Sequence, residues 1–529
     1  MAKTVKEKSI EESLWDSANK LRGTVESSEY KHVVLGLIFL KFVSDKFEER
    51  RAELTGEGKE KYLEMVEFYT MKNVFFLPDI ARWSFIMENA KQPDIALKID
   101  TALFTVEKNN PSLKGALPDN YYSRMNLDVR NNIDTLRDRQ QDIVGRVYEY
   151  FLSKFALAEG KGKGEFYTPK SIVNLIAELI EPYKGIIYDP ACGSGGMFVQ
   201  SIKFIESHHG NKKELSIYGQ EYTATTYKLA KMNLAIRGIS ANMGAVPADT
   251  FGKDQHPDLK ADYIMANPPF NQKDWRADNE LTDDPRWKGY EVPPTGNANY
   301  AWILNMVSKL STNGVAGFIL ANGALSGSGT EYEIRKKLIE NRLVEAILVL
   351  PQNMFYTTNI SVTMWIVNHN KKARTVQINE EIKQYRDREN EILFMDLRQM
   401  GEPFEKKYTQ FAGSDIRDIA GTFHTWQHCD SDCDSNDSCD KDDLKEDDKK
   451  KRNYLDIPEY CYSASLEEVR AKDYSLVPSK YIEFVNRDEN IDFDEKMSSL
   501  QKEMGELLRA EIQSKKDLLT VFKELGYEL

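Results

Sequence analysis

The sequence predicts an α/β protein with a doubly wound parallel sheet at its centre, a helical segment before it and a long helix after it. Short apolar runs alternate with segments of helical period from residue 172 onward. A glycine-rich turn, DPACGSGG, follows one of these runs. Residues 1–150 and 497–525 instead place apolar side chains three and four positions apart. Because ligands of such sheets bind at the carboxyl ends of the strands, the functional site is expected there.

Each part of the chain has its own pattern. Residues 1–150 are predicted to form an all-helical domain, because apolar side chains recur at helical spacing near Leu14 and over residues 33–43. Residues 151–420 are predicted to form the α/β domain, with its sheet complete near Asn368. Its helices are expected at 172–180, 197–205, 224–236, 300–310 and 332–340, and its strands at 186–188, 217–221, 261–266, 315–320, 344–350 and 360–367.

The glycine-rich turn after the first predicted strand is the first candidate ligand site. A strand, a glycine turn and a helix in this order bring backbone N–H groups close to a ligand. The turn is not a P-loop, because no lysine is present to hold a phosphate, and Pro190 and Cys192 interrupt the dinucleotide fingerprint. The candidate residues in this turn are Asp189, Ala191, Gly193, Ser194, Gly195 and Gly196.

A second motif, Asn-Pro-Pro-Phe at residues 267–270, ends another apolar run. Pro268 and Pro269 fix the backbone and remove two N–H donors, so the turn is stiff. The Asn267 amide oxygen and the Pro268 carbonyl are acceptors, and the Phe270 ring lies beside them in sequence. Two acceptors and a stacking ring suit a planar group with an exocyclic amine, such as an adenine that has left the DNA helix.

These two motifs resemble those of the S-adenosylmethionine-dependent N6-adenine DNA methyltransferases, in which a cofactor motif precedes a catalytic one. The sequence EFYTP at residues 165–169 resembles the additional cofactor motif of that group. Thr168 and Pro169 also have the residue types of an N-cap and a first helical position. The length and tail of the chain are similar to those of the modification subunits of type I restriction–modification systems.

The resemblance implies a Rossmann-like, S-adenosylmethionine-dependent methyltransferase domain that acts site-specifically on adenine in double-stranded DNA. Asn267, Pro268, Pro269 and Phe270 are the implied catalytic residues: the acceptors orient the amino group, and the ring stacks on the flipped base. Cofactor contacts are implied for Glu165, Phe166, Tyr167, Thr168, Pro169, Lys170, Asp189, Ala191, Gly193, Ser194, Gly195, Gly196, Glu221 and Asp249.

Two acids among these residues have a more specific expectation. Glu221 follows the second predicted strand, where an acid commonly accepts hydrogen bonds from ribose hydroxyls. In methyltransferases of this class the position of Asp249 often lies near the adenine of the cofactor. Cys192 lacks the Pro-Cys setting of a cytosine-C5 methylase, so no covalent cysteine step is expected.

The charge and the tail suggest dependence on partners. A net charge of −13 predicts weak binding to DNA phosphates by this chain alone. Residues 456–529 are predicted to form a tail with a long amphipathic helix. The resemblance implies that this helix docks on a specificity subunit, although packing on its own domain remains an alternative. A second copy of the chain and a restriction subunit are further expected partners.

Residues 421–455 are predicted to be an acidic low-complexity insertion. Cys429, Cys433 and Cys439, together with His424 or His428, allow an alternative zinc site. Because the cysteines do not pair as CxxC and their flanks are highly charged, no metal is predicted.

The remaining bulk properties predict a cytoplasmic protein with no membrane association. No hydrophobic signal segment opens the sequence, and five scattered cysteines favour reduced thiols. Three alternatives remain open. A protein-glutamine methyltransferase shares Asn-Pro-Pro but usually continues with tyrosine. A stand-alone DNA methylase would need its own target-recognition region. A non-catalytic scaffold would not bind the cofactor.

Overall fold

The computed structural model describes residues 27–125, 168–356, 358–378, 381–405, 407–428, 454–485 and 493–524, with a few single positions between residues 12 and 154. The chain divides into two compact units, residues 1–482 and residues 483–529. The first unit contains a helical region and a large mixed sheet, and the second contains a long helix.

Before residue 125, the regular elements of the described residues are all helices, joined by turns and irregular segments. Its helices are α1 (Ser27–Gly56), α2 (Glu67–Thr70), α3 (Trp83–Glu88), α4 (Ile95–Asn109) and α5 (Tyr121–Arg124). They pack around a buried core that includes Leu37, Phe47 and Leu103. The prediction of helices in this region is therefore confirmed over the described residues.

The second part of the first unit is an α/β layer structure. Its strands are β1 (Gly185–Asp189), β2 (Leu215–Gly219), β3 (Ala241–Asn242), β4 (Ala261–Ala266), β5 (Leu310–Ala321), β6 (Val344–Val349), β7 (Val362–Asn368), β8 (Arg374–Ile378), β9 (Glu381–Tyr385), β10 (Glu391–Asp396), β11 (Glu402–Phe404), β12 (Tyr408–Gln410) and β13 (Cys461–Ser465). Its helices are α6 (Lys170–Ile180), α7 (Gly196–Ser207), α8 (Ala224–Ile236), α9 (Asn299–Lys309), α10 (Thr330–Glu340), α11 (Gly413–Gln427) and α12 (Leu466–Ala471).

Nine of these strands form one sheet in the order β13-β10-β6-β7-β5-β4-β1-β2-β3. Neighbouring strands are parallel except at β7 and β13, which run antiparallel to the strands beside them. The strand order reverses between β1 and β4, because β2 lies on one side of β1 and β4 on the other. This reversal is the position at which doubly wound sheets bind ligands, at their carboxyl edge.

The prediction that the sheet is complete near Asn368 is wrong. Strand β10 adds to β6 in parallel, and β13 adds to β10 in antiparallel orientation. The sequence of β13, CYSAS, lies far from its partner and has no strong apolar run, so its pairing is not visible locally. As a result, residues 454–482 belong to the sheet unit rather than to the tail, and α11 continues past residue 420 to Gln427.

The helical region packs directly on the α/β layer through α8. Leu229, Met232 and Ile236 on α8 belong to the same buried cluster as the core of the helical region. The Lys228 ammonium donates to the Leu117 carbonyl oxygen at 3.2 Å. Helix α8 follows β2 in the chain, so the helical region packs on the helix that comes directly after this strand.

The second unit contains helix α13 (Phe493–Glu524). Its exposed apolar side chains are Met497, Leu500, Met504, Leu507, Leu508, Ile512, Leu518, Leu519 and Val521. Among the helices described above, none combines the length and the apolar character that crossing a membrane requires.

Candidate active site

The glycine-rich turn is held to the end of β2 by backbone hydrogen bonds. The Gln220 N–H donates to the Asp189 carbonyl oxygen, and the Cys192 N–H donates to the Gln220 carbonyl oxygen, each at 3.0 Å. Gly193 and Gly195 have φ angles of +53° and +78°, in the left-handed region that favours glycine. Gly195 is the N-cap of α7, so the turn presents the start of a helix to the carboxyl edge.

Asp189, at the end of β1, is buried beneath this turn. One of its carboxylate oxygens accepts a hydrogen bond from the Ala191 N–H at 3.0 Å. Burial raises the pKa of Asp189 to about 8, the Ala191 bond opposes this rise, and the nearby Glu221 carboxylate adds to it. The Asp189 side chain therefore keeps its proton to a higher pH than an ordinary aspartic acid does.

Glu221 joins the two turns through both of its carboxylate oxygens. One oxygen accepts from the Gly193 N–H at 3.1 Å, and the other accepts from the Thr223 N–H at 2.7 Å. Tyr222, the next residue, is 73% exposed. It is not among the site residues predicted from the sequence. An aromatic residue directly after a strand-end acid was the available signal.

Asp249 lies on the loop that covers these turns. Its side chain accepts from the Gly252 N–H at 2.6 Å, which shapes a tight local turn. The neighbouring Ala248 N–H donates to the Glu221 carbonyl oxygen at 2.9 Å, and the Thr250 hydroxyl donates to the Pro190 carbonyl oxygen at 2.6 Å. Asp189, Glu221 and Asp249 are thus brought to one edge of the sheet.

Cys192, within the glycine-rich turn, is a buried free thiol. Burial raises the pKa of this thiol well above its usual range, and the nearby Asp189 and Glu221 add to the rise. Since the thiolate is the nucleophilic form, the side chain is poorly suited to covalent catalysis. This agrees with the expectation that no covalent cysteine step occurs.

Strand β4 delivers the Asn-Pro-Pro-Phe motif to the same edge. The parallel register pairs Tyr188 on β1 with Ile264 on β4, so the residues after both strands emerge side by side. Asn267 is buried, and its amide nitrogen donates to the Thr168 hydroxyl oxygen at 2.9 Å. The Asn267 amide oxygen is also buried and has no hydrogen-bond partner within the described part of the chain.

The rest of the motif lies against the core at the same edge. Pro268 is buried, and Pro269 and Phe270 are half-buried. The Phe270 ring meets the buried Phe355 ring edge to face, with 6.0 Å between the ring centroids. Phe355 lies in the segment that connects β6 to β7, so this connecting segment supports the motif.

The long segment after the motif is fixed at its base. The Asn271 N–H donates to the Asn299 side-chain oxygen at 3.0 Å, and the Asn299 side-chain nitrogen donates back to the Asn271 side-chain oxygen at 2.9 Å. The Ala298 N–H donates to the Gln272 carbonyl oxygen at 2.9 Å. These bonds close residues 271–299 into a loop that returns to the motif, a pairing that no local sequence signal predicts.

The expectation that Thr168 caps the helix after it is wrong. Helix α6 begins at Lys170, its N-cap is Pro169, and no side chain forms a capping bond there. The Thr168 hydroxyl instead accepts from Asn267, which places the end of the EFYTP motif beside the Asn-Pro-Pro-Phe motif. Glu165, Phe166 and Tyr167 lie outside the described residues, while Lys170 is exposed on the first turn of α6.

The alternative zinc site has no support among the described residues, where no group of histidine, cysteine and acidic side chains is placed to bind a metal. His424 contacts the Glu178 carbonyl oxygen through its Nε2 at 2.8 Å, and the His428 ring meets the Tyr385 ring. Cys429, Cys433 and Cys439, with most of the predicted acidic insertion, lie outside the described residues.

The chain has the fold of an α/β methyltransferase, as a structural comparison shows. A crystal structure of the type I restriction–modification system methyltransferase subunit from Streptococcus thermophilus superposes with a TM-score of 0.70. The two chains are 22% identical, and the match covers 90% of this chain and 99% of the other.

Sequence comparisons give a more specific assignment. The chain is 39% identical to the type I restriction enzyme HindI methylase subunit of Haemophilus influenzae, over 85% of this chain and 100% of that protein. It is 34% identical to the MjaIX methylase subunit of Methanocaldococcus jannaschii, over 98% of this chain and 92% of that protein. Residues 139–490 match the N-6 DNA methylase family, and residues 10–139 match the HsdM N-terminal domain.

The chain belongs to the N-6 DNA methylase family. The family resemblance inferred from the glycine-rich turn and the Asn-Pro-Pro-Phe motif is therefore confirmed, as is the prediction of an adenine-specific methylase subunit of the type I kind.

Proposed function

We propose that this chain transfers the methyl group of S-adenosylmethionine to N6 of an adenine flipped out of double-stranded DNA, with a specificity subunit supplying the target sequence. The observation that carries this proposal is the buried Asn267 amide oxygen, which has no partner among the described residues. Leaving a buried acceptor unpaired costs about 1–3 kcal/mol, so the site is built for a ligand that donates a hydrogen bond. The amino group of adenine is such a donor.

The roles of the motif follow from its chemistry. The Asn267 amide oxygen and the Pro268 carbonyl oxygen each accept a hydrogen bond from one of the two N6–H groups. These two bonds orient the amino nitrogen toward the methyl donor. Because the lone pair of this nitrogen is delocalised into the ring, orienting it is the main contribution that the protein makes. Phe270 stacks on the extruded base, and its contact with Phe355 fixes the angle of its ring. Pro268 and Pro269 keep the turn rigid.

The glycine-rich turn and the β2 end fit the cofactor. A Cβ atom built at Gly193 or Gly196 meets no atom of the described residues within 4 Å, so these residues leave space over the turn for a ligand. Asp189, Ala191 and the residues 193–196 line the methionine end. Glu221 accepts the ribose hydroxyls, and Asp249 lies near the adenine. When bound, S-adenosylmethionine supplies an electrophilic methyl group.

Tyr222 adds an aromatic surface to this half of the site. Its exposed ring follows Glu221 directly, so it offers a stacking face for the adenine of the cofactor at a position adjoining the ribose acceptor. Glu165, Phe166, Tyr167, Thr168, Pro169 and Lys170 complete the proposed cofactor set. Thr168 contributes its backbone to this set, because its hydroxyl is bonded to Asn267.

The experiment that tests the function measures tritiated methyl transfer from S-adenosylmethionine to unmethylated DNA, with and without the co-encoded specificity subunit. The proposal predicts N6-methyladenine in digested DNA only when both proteins are present. Activity of this chain alone identifies a self-sufficient methylase. Transfer to protein glutamine rather than DNA, or failure to bind the cofactor, contradicts the proposal.

Partner docking is assigned to α13. Its exposed apolar side chains at Met497, Leu500, Met504, Leu507, Leu508 and Ile512 recur mainly three and four residues apart, as they do on helices that pack in coiled coils. We expect the specificity subunit to cover this face and to compensate for the net charge of −13 by providing basic DNA contacts. A second copy of this chain and a restriction subunit are the further partners proposed for the complex.

Charge substitutions on α13 test the docking. Leu500→Asp combined with Leu507→Asp places two charges on the apolar face, and we expect at least a hundredfold loss of affinity for the specificity subunit in calorimetry. Ser498→Asp combined with Gln513→Asp adds the same charge on the opposite face and is the control. Equal affinity of both variants, with helix content unchanged by circular dichroism, argues against docking through this face.

A further inference from the structure

We infer that Thr168 is a positioning residue for Asn267: its hydroxyl holds the amide nitrogen so that the amide oxygen faces the adenine amino group. This inference rests on the proposed function, in which Asn267 accepts a hydrogen bond from N6. The observation behind it is the 2.9 Å hydrogen bond from the Asn267 amide nitrogen to the Thr168 hydroxyl oxygen, formed across 99 residues of sequence.

The orientation of this amide decides what the site can bind. The two ends of an asparagine side chain have nearly the same shape, but one end accepts hydrogen bonds and the other donates them. If the amide nitrogen faced the target, two donors would oppose each other and the amino group would be repelled. The bond to Thr168 occupies the nitrogen, and the oxygen at the other end is the buried atom that has no partner among the described residues.

Thr168 is itself held by a rigid support. Pro169 restricts the backbone of the residue before it to extended conformations, so the position of Thr168 is narrowly defined. The Pro169 carbonyl accepts from the N–H groups of Ile172 and Val173 at 3.0 and 3.2 Å. Ile172 and Val173 are buried in the core below the sheet edge. Few rotatable bonds therefore separate the Thr168 hydroxyl, which holds the Asn267 amide, from the buried core.

The hydroxyl is available because the helix does not use it. Threonine before a helix commonly caps the first turn, yet α6 is capped at Pro169 without a side-chain bond. A valine at position 168 has the same shape as threonine and keeps the backbone unchanged, but it cannot accept the amide hydrogen. Substitution therefore isolates the hydrogen bond from the packing.

The test compares Thr168→Val with Thr168→Ser in the complex with the specificity subunit, at saturating S-adenosylmethionine. Thr168→Val is expected to lower the single-turnover rate of methyl transfer about tenfold, because the amide loses its orienting bond. Thr168→Ser retains the hydroxyl and is expected to recover most of the rate. Thr101 is exposed, and its hydroxyl donates to the Leu97 carbonyl oxygen within helix α4. Thr101→Val is therefore the control for a threonine-to-valine change.

Two further readouts separate positioning from cofactor binding. Calorimetry is expected to give a cofactor Kd for Thr168→Val within about twofold of the unsubstituted protein. In an Asn267→Ala background, Thr168→Val is expected to cause no further loss of rate, because its effect passes through the amide. Two results would overturn the inference. One is a Thr168→Val variant with an unchanged rate and a cofactor affinity weakened tenfold or more. The other is a double variant whose loss of rate equals the product of the losses in Thr168→Val and Asn267→Ala.

The same set distinguishes this inference from the proposed function. If Asn267→Ala alone keeps the full rate, the catalytic assignment of Asn267 fails and Thr168 has nothing to position. If Asn267→Ala abolishes transfer while Thr168→Val is fully active, the catalytic assignment stands and only the positioning role is lost.

Discussion

The two halves of the active site satisfy their polar groups in different ways. At the ends of β1 and β2, the Asp189 and Glu221 carboxylates bind backbone N–H groups of the turns around them. At the end of β4, the Asn267 amide is bound at its nitrogen only, and its oxygen lacks a partner within the described residues. Both acids of the first half thus have backbone donors, whereas the Asn267 amide oxygen, here called the reserved acceptor, has no donor among the described residues.

This difference indicates how the two ligands are handled. In the proposed function, the acids of the first half fix the shape of the turn before any ligand is bound, so that the cofactor meets a preorganised surface. The free acceptor of the second half is satisfied only when a donor arrives, which favours a ligand with an amino group over one without it. Substitutions in the two halves should therefore change different measured quantities.

The largest effect is expected at the reserved acceptor. Asn267→Ala removes the amide oxygen and should lower the single-turnover rate of methyl transfer by about a hundredfold to a thousandfold, as when another preorganised hydrogen-bonding group is lost. Asn211→Ala, at an exposed turn, is the matched control. Methyl transfer at the full rate by Asn267→Ala would remove the basis for the catalytic assignment.

The next largest effect is expected at the link between the two turns. Glu221→Ala leaves the Gly193 and Thr223 N–H groups without their acceptor and removes the proposed ribose contact. We expect the cofactor Kd to rise about a hundredfold, with the rate at saturating cofactor changed only a fewfold. Glu214→Ala, on the short turn before β2, is the control. A cofactor Kd that stays unchanged would be incompatible with this role.

A smaller effect is expected at Phe270, the aromatic residue of the Asn-Pro-Pro-Phe motif. Stacking of a base on an aromatic ring contributes about 1–3 kcal/mol, so Phe270→Ala should weaken capture of the flipped base roughly thirtyfold. Fluorescence of 2-aminopurine at the target position measures this capture, and Phe270→Tyr should restore most of it. If Phe270→Ala captures the base normally, the ring has a packing role, as in its contact with Phe355, and no role in base capture.

The smallest effect concerns the buried acid of the first half. Because the pKa of Asp189 is raised to about 8, its folding contribution is fully present below the ordinary aspartate pKa and is lost as the pH rises toward 8. Asp189→Asn mimics the neutral acid. Its free energy of unfolding should therefore rise by about 1.4 kcal/mol relative to that of the unsubstituted protein between pH 6 and pH 7. Parallel stability curves from urea titrations would show that the acid is ionised.

Much of this site could be predicted from the sequence because its two motifs are local. A glycine turn after a strand and two prolines after another strand are each encoded within a few residues, so Gly193, Gly195 and Asn267 were identified correctly as turn and strand-end positions. Strands β1, β2 and β4 were also predicted within a few residues of their bounds.

The parts that could not be predicted depend on contacts between distant residues. The Thr168–Asn267 bond, the Asn271–Asn299 pairing and the addition of β10 and β13 to the sheet each join segments that have no shared local period. A threonine before a proline fits a helix cap by local rules, and only the folded neighbourhood shows that its hydroxyl is used elsewhere. The sequence signal for Tyr222 is weaker, because a single aromatic residue after a strand-end acid belongs to no periodic pattern.

The most direct measurement for this account is the cofactor affinity of Asn267→Ala, determined by calorimetry with S-adenosylmethionine in the absence of DNA. If the reserved oxygen serves the adenine base, the Kd should lie within about twofold of the unsubstituted value, although methyl transfer is lost. A Kd weakened tenfold or more would mean that the oxygen binds the cofactor, and the division of the site into two differently satisfied halves would be wrong.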